Sequence, residues 1–431
     1  MPKNKLRRVL ARLPLIFFGV LVSLICCEVA LRLLGYSFPE FYQIDNSRGY
    51  SLRPSMEGWY RKEGEAFVRI NRDGLRDRDH ARTKPAETFR IAVLGDSYAE
   101  ALQVSQEQAF WSVLERQLQA CESLVQAEKT VAPQHSGEPA SARAKTVEVI
   151  NFGVSGYSTA QELITLREQV WAYSPDLVLL TVTTNNDISD NSRDLKKTDE
   201  VPYFILQNSQ LVLDDSFKDS RSFRLRQSFV NRFGRWIKDH SRVIQATIEG
   251  HRGFKVRLAA FRQRWRKTEA PPPESAGTTE PKLQNEEVGI DNLIYVESTN
   301  PTWANAWEVT EKLIEEIHNE VKAHGSQMIL VTLSNPPQVM PNPEARQLFL
   351  KRVGARDLFY PDNRIRNLAM REGIEVITLA LEMQAYADRQ KVFLHGFGVN
   401  SGNGHWNAEG HRLAGELIAR KLCENSRSAE R

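Results

Sequence analysis

Cysteine is scarce here, four residues in 431, and the net charge is only +3. So few thiols cannot build a disulfide framework, and no cysteine pair stands at zinc spacing. With 57 basic against 54 acidic residues there is no electrostatic footprint for nucleic acid. Internal repeats are missing, which excludes solenoids and propellers. A phosphate loop is missing too, and with it the commonest signature of a nucleotide-dependent enzyme. No clustered ligands call for a metal, and no motif calls for a cofactor. The one long apolar run lacks a small-x-small cleavage site after it.

That run defines the N-terminus. Residues 1–12 carry Lys3, Lys5, Arg7, Arg8 and Arg12 without an acid, and Leu13 to Cys27 is almost wholly apolar. Val29 to Leu34 extends the run despite Glu28 and Arg32, which stand four apart and can pair on one helix face. About 22 such residues cross a bilayer of roughly 30 Å. Residues 1–12 therefore read as a cytoplasmic basic flank and 13–35 as a transmembrane signal-anchor. This makes a single-pass protein of the cytoplasmic membrane, with the rest of the chain on the extracytoplasmic side. A cleaved signal peptide is the alternative.

The chain after the anchor is organised around Arg90 to Glu100, RIAVLGDSYAE. Its first five residues read as a strand, Gly95 and Asp96 as a turn, and Ser97 as the start of a helix running to Leu118-Gln119. Residues 147–150 and 177–182 read as further strands with a helix over 160–173 between them, a pattern that implies a parallel sheet with right-handed crossovers. A helix over Asn305 to His324, a strand over Met328 to Leu333, a helix over 362–371, a strand over 375–379 and a closing helix to Cys423 continue it. Residues 36–89 form an N-terminal extension, and 191–290 an insert in the 90–425 domain.

Within the insert, Tyr203 to Leu213 reads as a hairpin around Asn208-Ser209. Arg221 to Lys267 reads as helical, with fourteen basic residues against only Asp239 and Glu249. Three readings stay open for it: a membrane-surface helix for anionic lipid, a clamp for an anionic polysaccharide, and a solvated cap. Val125 to Lys145 reads as a surface loop and Thr268 to Glu287 as a linker.

Three later stretches join Ser97: Asn151 to Tyr157 with its glycines, Thr184-Asn185-Asn186-Asp187, and Gly404-His405-Trp406-Asn407. Serine, glycine, asparagine and histidine in this order, each at a predicted strand end, resemble the SGNH (GDSL-type) hydrolase family over about residues 85–190 and 290–425. The resemblance implies a three-layer, flavodoxin-like α/β fold with helices on both faces of a parallel sheet. It makes Ser97 the nucleophile and His405 its base. The oxyanion would be held by the N–H of Ser97, the N–H of Gly156 (Gly153 being the substitute) and the Asn186 amide. Asp96 caps the serine turn, and Asp187 and Asn191 fix the Asn186 loop. No cofactor or metal is required.

The sequence departs from the family at two points. An aspartate usually stands two or three residues before the histidine, where this chain has Asn403 and Gly402. Asn403, a backbone carbonyl or an acid from elsewhere is then left to orient the ring. Thr184 stands where glycine is usual. His395 and His411 compete with His405, and His411 is expected to face solvent from the last helix or to cap a turn. Asn71 to Arg76 is similar to an N-x-x-G-L-R segment of anchored relatives and is taken as a packing or edge element. Cys121 and Cys423 end the first and last helices, which in such a sheet could join in a disulfide or remain two buried thiols.

The resemblance implies a membrane-anchored esterase acting on small carboxylic esters or O-acylated glycans through an acyl-Ser97 intermediate. One alternative is O-acetyl transfer to an exopolysaccharide, because Asn403-Gly404-His405-Trp406 is similar to the Asp-x-His-Trp of alginate acetyltransferases. The other is an inactive module that binds glycans through the basic insert.

Overall fold

Five short runs rich in apolar residues become the strands of one parallel sheet. They are β1 (Thr88–Leu94), β2 (Thr146–Asn151), β3 (Leu177–Thr183), β4 (Gln327–Leu333) and β5 (Glu375–Thr378). Their order is β5-β4-β3-β1-β2, with every neighbouring pair parallel. Ala92 stands opposite Ile150 on one side and Val178 on the other, and Leu180 opposite Leu330. Every residue of β3 is buried, as a central strand covered on both faces requires.

The computed structural model of the chain describes residues 3–121, 146–251, 292–297 and 299–429. The expected loop over Val125 to Lys145, the basic helix beyond residue 251 and the expected linker lie outside them. Its principal helices are α1 (Lys3–Leu33), α2 (Ser97–Glu100), α3 (Phe110–Gln119), α4 (Thr159–Glu168), α5 (Pro301–Ala323), α6 (Tyr360–Glu372), α7 (Ala380–Gln390) and α8 (Ala408–Ala429).

Alternation along each strand sorts the helices into two layers. Ala92, Leu94, Val178 and Leu180 pack against α4, α5 and α6. Ile91, Val93, Leu177 and Leu179 pack against α3, α7 and α8. Each layer has two almost fully buried tryptophans, Trp303 and Trp307 in the first and Trp111 and Trp406 in the second. Burying a large apolar side chain stabilises by roughly 1.5–3 kcal/mol, so both layers are firmly held. This is a three-layer α/β arrangement with the strand order of flavodoxin-like sheets, as the expected fold requires.

A disulfide joins Cys121, after α3, to Cys423 in α8, with Cα atoms 6.0 Å apart. It closes a loop 302 residues long. In the chain-entropy picture such closure destabilises the unfolded state by roughly 5 kcal/mol.

The chain divides into two compact units. One is Met1–Glu40, Glu57–Trp59 and Leu225–Leu283; the other is Phe41–Met56, Tyr60–Arg224 and Gln284–Arg431. In the smaller unit, Leu13–Leu33 of α1 is long and apolar enough to cross a membrane and is a candidate span. The expected insert falls into both units, because its hairpin buries Phe204 in the core of the larger one. That hairpin pairs Tyr203–Gln207 with Gln210–Asp214, and Asn208 and Ser209 both have positive φ, as a two-residue turn of this hand demands.

Two expected helices are broken. The helix expected from Ser97 to Gln119 stops at Ala101, which takes the left-handed conformation, and resumes at Phe110. The basic stretch forms Arg221–Gln227, Phe229–His240 and a helix over 242–251. Ser228 and Ser241 interrupt it, and each caps the helix after it, their hydroxyls accepting from the Asn231 and Ile244 N–H groups.

Candidate active site

Three of the four blocks lie side by side because β2, β1 and β3 are neighbours and all end at the same edge. Ser97 opens α2 directly after β1. Asp96 caps that turn, its Oδ1 accepting from the Tyr98 N–H at 3.0 Å. Asn186, after β3, donates from Nδ2 to Asp96 Oδ2 at 2.6 Å. The glycine block after β2 is tied to the same turn by the Val154 N–H, which donates to Gly95 O at 3.1 Å.

Neither the Ser97 nor the Gly156 N–H meets a protein acceptor among the described residues. Gly153 is different, since its N–H donates to Asn151 Oδ1 at 3.0 Å. The Gly153 alternative is thereby used up in structure. Gly156 has φ of 74°, and a Cβ there would fall 2.7 Å from the Tyr50 hydroxyl, so a side chain would be strained and crowded. Asn186 has a second amide hydrogen beyond the one given to Asp96. Three donors at one strand edge can hold an oxyanion.

His405 is brought to Ser97 by the loop before α8. Its Nε2 lies 2.8 Å from Ser97 Oγ. On the far side of the ring, Nδ1 lies 2.5 Å from Glu63 Oε2, and the His405 backbone N–H donates to Glu63 Oε1 at 2.7 Å. A carboxylate accepts only, so Nδ1 carries the proton and the Nε2 lone pair faces the serine hydroxyl. Burial pushes the Glu63 carboxyl up, but its bonds to the His405 ring and backbone outweigh this and hold it below the usual range.

Glu63 comes from the N-terminal extension, where no site residue is expected from the sequence. Asn403 does not take that part: it is exposed, and the ring's Nδ1 is already engaged by Glu63. Gly64 makes the approach workable. It has φ of 68°, and a Cβ would fall 2.3 Å from Gln103 O. No local pattern marks Glu63 in the sequence; the signal is the missing aspartate, which requires an acid from somewhere.

The competing histidines are structural. His395 is buried, with Nδ1 donating to Gly404 O at 2.7 Å and Nε2 3.1 Å from Ser334 Oγ. Ser334 in turn accepts from Trp406 Nε1 at 2.9 Å. This chain grips the residues on both sides of His405, and burial pushes His395 down to about 3, so it stays neutral. His411 does not face solvent, and of its two expected roles the capping one fits. It is buried, and its Nδ1 accepts from the Phe110 N–H at 3.3 Å at the start of α3.

Other predicted residues support the loops. Asp187 Oδ2 accepts from the Thr183 N–H at 2.7 Å, and Asn191 bridges the Ala160 N–H and Thr310 Oγ1. Thr184 accepts from Asn335 Nδ2 at 2.9 Å, which ties the ends of β3 and β4 together. The Asn71 segment does pack, with Arg76 O and Asp77 Oδ2 accepting from Asn151 beside the glycine block. Among the described residues, no group of three or more His, Cys, Asp or Glu is placed to hold a metal.

No family model and no curated protein matches the chain. Several solved structures are similar to it. An acetyl xylan esterase, AlAXEase, shares 12% identity over 77% of this chain and 99% of that one, with a TM-score of 0.36. An acetylxylan esterase from Geobacillus stearothermophilus shares 11% over 77% and 93%, with a TM-score of 0.34. A lipase/acylhydrolase from Enterococcus faecalis shares 13% over 78% and 96%, with a TM-score of 0.33. These likenesses are distant, and the chemistry rests on the chain's own geometry.

Proposed function

We propose that the chain is a membrane-anchored serine esterase that cleaves carboxylic esters through an acyl-Ser97 intermediate. The observation that carries this is the continuous line from Glu63 through His405 to Ser97, at 2.5 and 2.8 Å. A serine hydroxyl is a weak nucleophile until a base is set against it and a third group fixes that base. As Ser97 Oγ bonds to the ester carbon, its proton passes to His405 Nε2, and Glu63 stabilises the resulting imidazolium. The oxyanion takes hydrogen bonds from the N–H groups of Ser97 and Gly156 and from Asn186. Collapse expels the alcohol, which takes the proton from His405. Water then attacks the acyl group by the same route and frees Ser97.

The family resemblance puts O-acylated glycans and small carboxylic esters first among substrates. Acyl transfer to a sugar hydroxyl uses the same intermediate, so the product formed in water decides between the two. The basic N-terminal flank favours an outward-facing catalytic unit, and the Cys121–Cys423 disulfide suits an oxidising compartment.

A fluorophosphonate probe tests the nucleophile. The wild-type protein should give a stoichiometric adduct on Ser97 by mass spectrometry, absent in Ser97→Ala and lost on the same timescale in His405→Ala. A folded wild-type protein that takes no adduct contradicts the reading.

A further inference from the structure

We propose that the helix Phe229–His240 lies in the membrane–water interface, its aromatic edge among the headgroups of an anionic bilayer, docked beside the outer end of α1. This rests on the membrane-anchored reading and extends it from one attachment point to two.

The first observation is an unpartnered apolar edge. Phe229 is 80% exposed, Val230 77%, Phe233 49% and Trp236 54%. These positions, at i, i+1, i+4 and i+7, fall on one helix face. Their rings form a ladder: Phe229 stacks on Phe233 at 6.1 Å, Phe233 on Trp236 at 5.9 Å, and Trp236 on His240 at 4.5 Å. A ladder of aromatics in water is unfavourable, whereas Trp and Phe are the side chains that interfacial helices sink into the boundary between headgroups and acyl chains.

The second observation is where the helix is held. Arg32 of α1 donates to His240 O. Glu28 of α1 accepts from the N–H groups of Arg242 and Val243 at 3.0 Å each and pairs with Arg32 at 2.8 Å. This explains an acid inside an apolar helix, because its charge is met by a guanidinium and by the first turn of the helix over 242–251. At 1.5 Å per residue, Glu28 lies about 22 Å along the span from Leu13. In a hydrocarbon layer of roughly 30 Å that is about 8 Å below the outer boundary, the depth at which interfacial helices rest. Beyond it, Lys238 pairs with Glu40 at 3.1 Å, and Gln245 accepts from the Phe38 N–H at 2.8 Å.

Charge is the third. Arg226, Arg232, Arg235, Lys238 and Arg242 stand against only Asp239 and Glu249 over residues 225–251. Such an excess is attracted to anionic headgroups. An anionic polysaccharide would answer the charge but leave the aromatic edge wet, so the bilayer fits both observations.

The test uses the full chain in vesicles of phosphatidylcholine, with and without phosphatidylglycerol, carrying acyl chains brominated near the headgroup. The emission difference between wild type and Trp236→Phe isolates Trp236 from the other tryptophans. The proposal expects Trp236 to lose most of its emission to shallow bromines, more strongly with phosphatidylglycerol, and to resist aqueous iodide. Phe229→Glu with Phe233→Glu, at exposed positions, should remove that quenching while α1 keeps the protein in the vesicles. Iodide quenching of Trp236 without bromine quenching, in protein that survives an alkaline wash, overturns the proposal and leaves the anchor standing. Trp236 shielded from iodide only after an anionic polysaccharide is added overturns it in favour of the polymer. Wild type stripped from the vesicles by the wash overturns both.

Discussion

The two edges of the central sheet treat buried charge in opposite ways. At the amino edge, Arg90 donates from Nε to Glu148 at 2.7 Å and gives its remaining donors to the carbonyls of Tyr173, Ala81 and Arg82. His80 places Nδ1 2.6 Å from Glu148 and Nε2 3.1 Å from Asp77. Arg90, His80 and Glu148 each have an ion-pair partner. At the carboxyl edge, Asp96, Glu162 and Asp187 are buried without an ion-paired cation among the described residues, and both Glu162 oxygens lack a protein partner there. Burial pushes Glu162 and Asp187 well up, and each acid's neighbours push it further. One edge uses its polar groups to lock strands. The other accepts unpaired acids under the loop that presents Asn186, a cost proteins concentrate at functional sites.

Breaking the paired edge should have the largest effect on folding. Glu148→Gln leaves Arg90 buried without its anion and His80 with Asp77 alone, and should cost about 3 kcal/mol by denaturant titration, while fluorophosphonate labelling of the folded protein is retained. Acidity sharpens the contrast at smaller scale. Burial lowers His80, but its bonds to Asp77 and Glu148 outweigh this and raise it from 6.5 to about 9. Burial raises Glu148, but His80 and Arg90 outweigh that and lower it from 4.5 to about 2. The His80 contribution is therefore full below pH 6.5 and lost as pH rises through about 9. That of Glu148 is full above pH 4.5 and lost as pH falls through about 2. Thermal midpoints should be flat between these limits and fall on both sides, and Glu148→Gln should flatten the alkaline fall. The smallest change belongs to the unpaired edge. Glu162→Gln removes an acid that has no ion-paired cation among the described residues and should shift stability by under about 1 kcal/mol, because no charge pair is broken. A loss as large as that of Glu148→Gln would remove the contrast.

The sheet was legible because each strand is a short run rich in apolar residues, a local signal that Arg90 and Glu148 interrupt without erasing. Ser97, Gly156, Asn186 and His405 were legible because each sits in a short block at a strand end or just before a helix. Glu63 was not, since it lies 342 residues from His405 and in no pattern of its own. The break at Ala101 carries no glycine or proline, so nothing local announced it. For His411 a position on a helix leaves water and a cap equally open, and the fold chooses the cap, its ring serving the first free amide of α3.

The central claim is that Glu63 supplies the acid absent before His405. The most direct measurement is ester turnover by Glu63→Gln beside Asn403→Ala and wild type, with folding checked in each. A glutamine amide facing Nδ1 favours the tautomer that places the proton on Nε2, where it cannot accept from Ser97. The account predicts that Glu63→Gln lowers kcat by about 10⁴-fold while Asn403→Ala stays near wild type. Wild-type kcat in Glu63→Gln, or the large loss falling on Asn403→Ala instead, would contradict it.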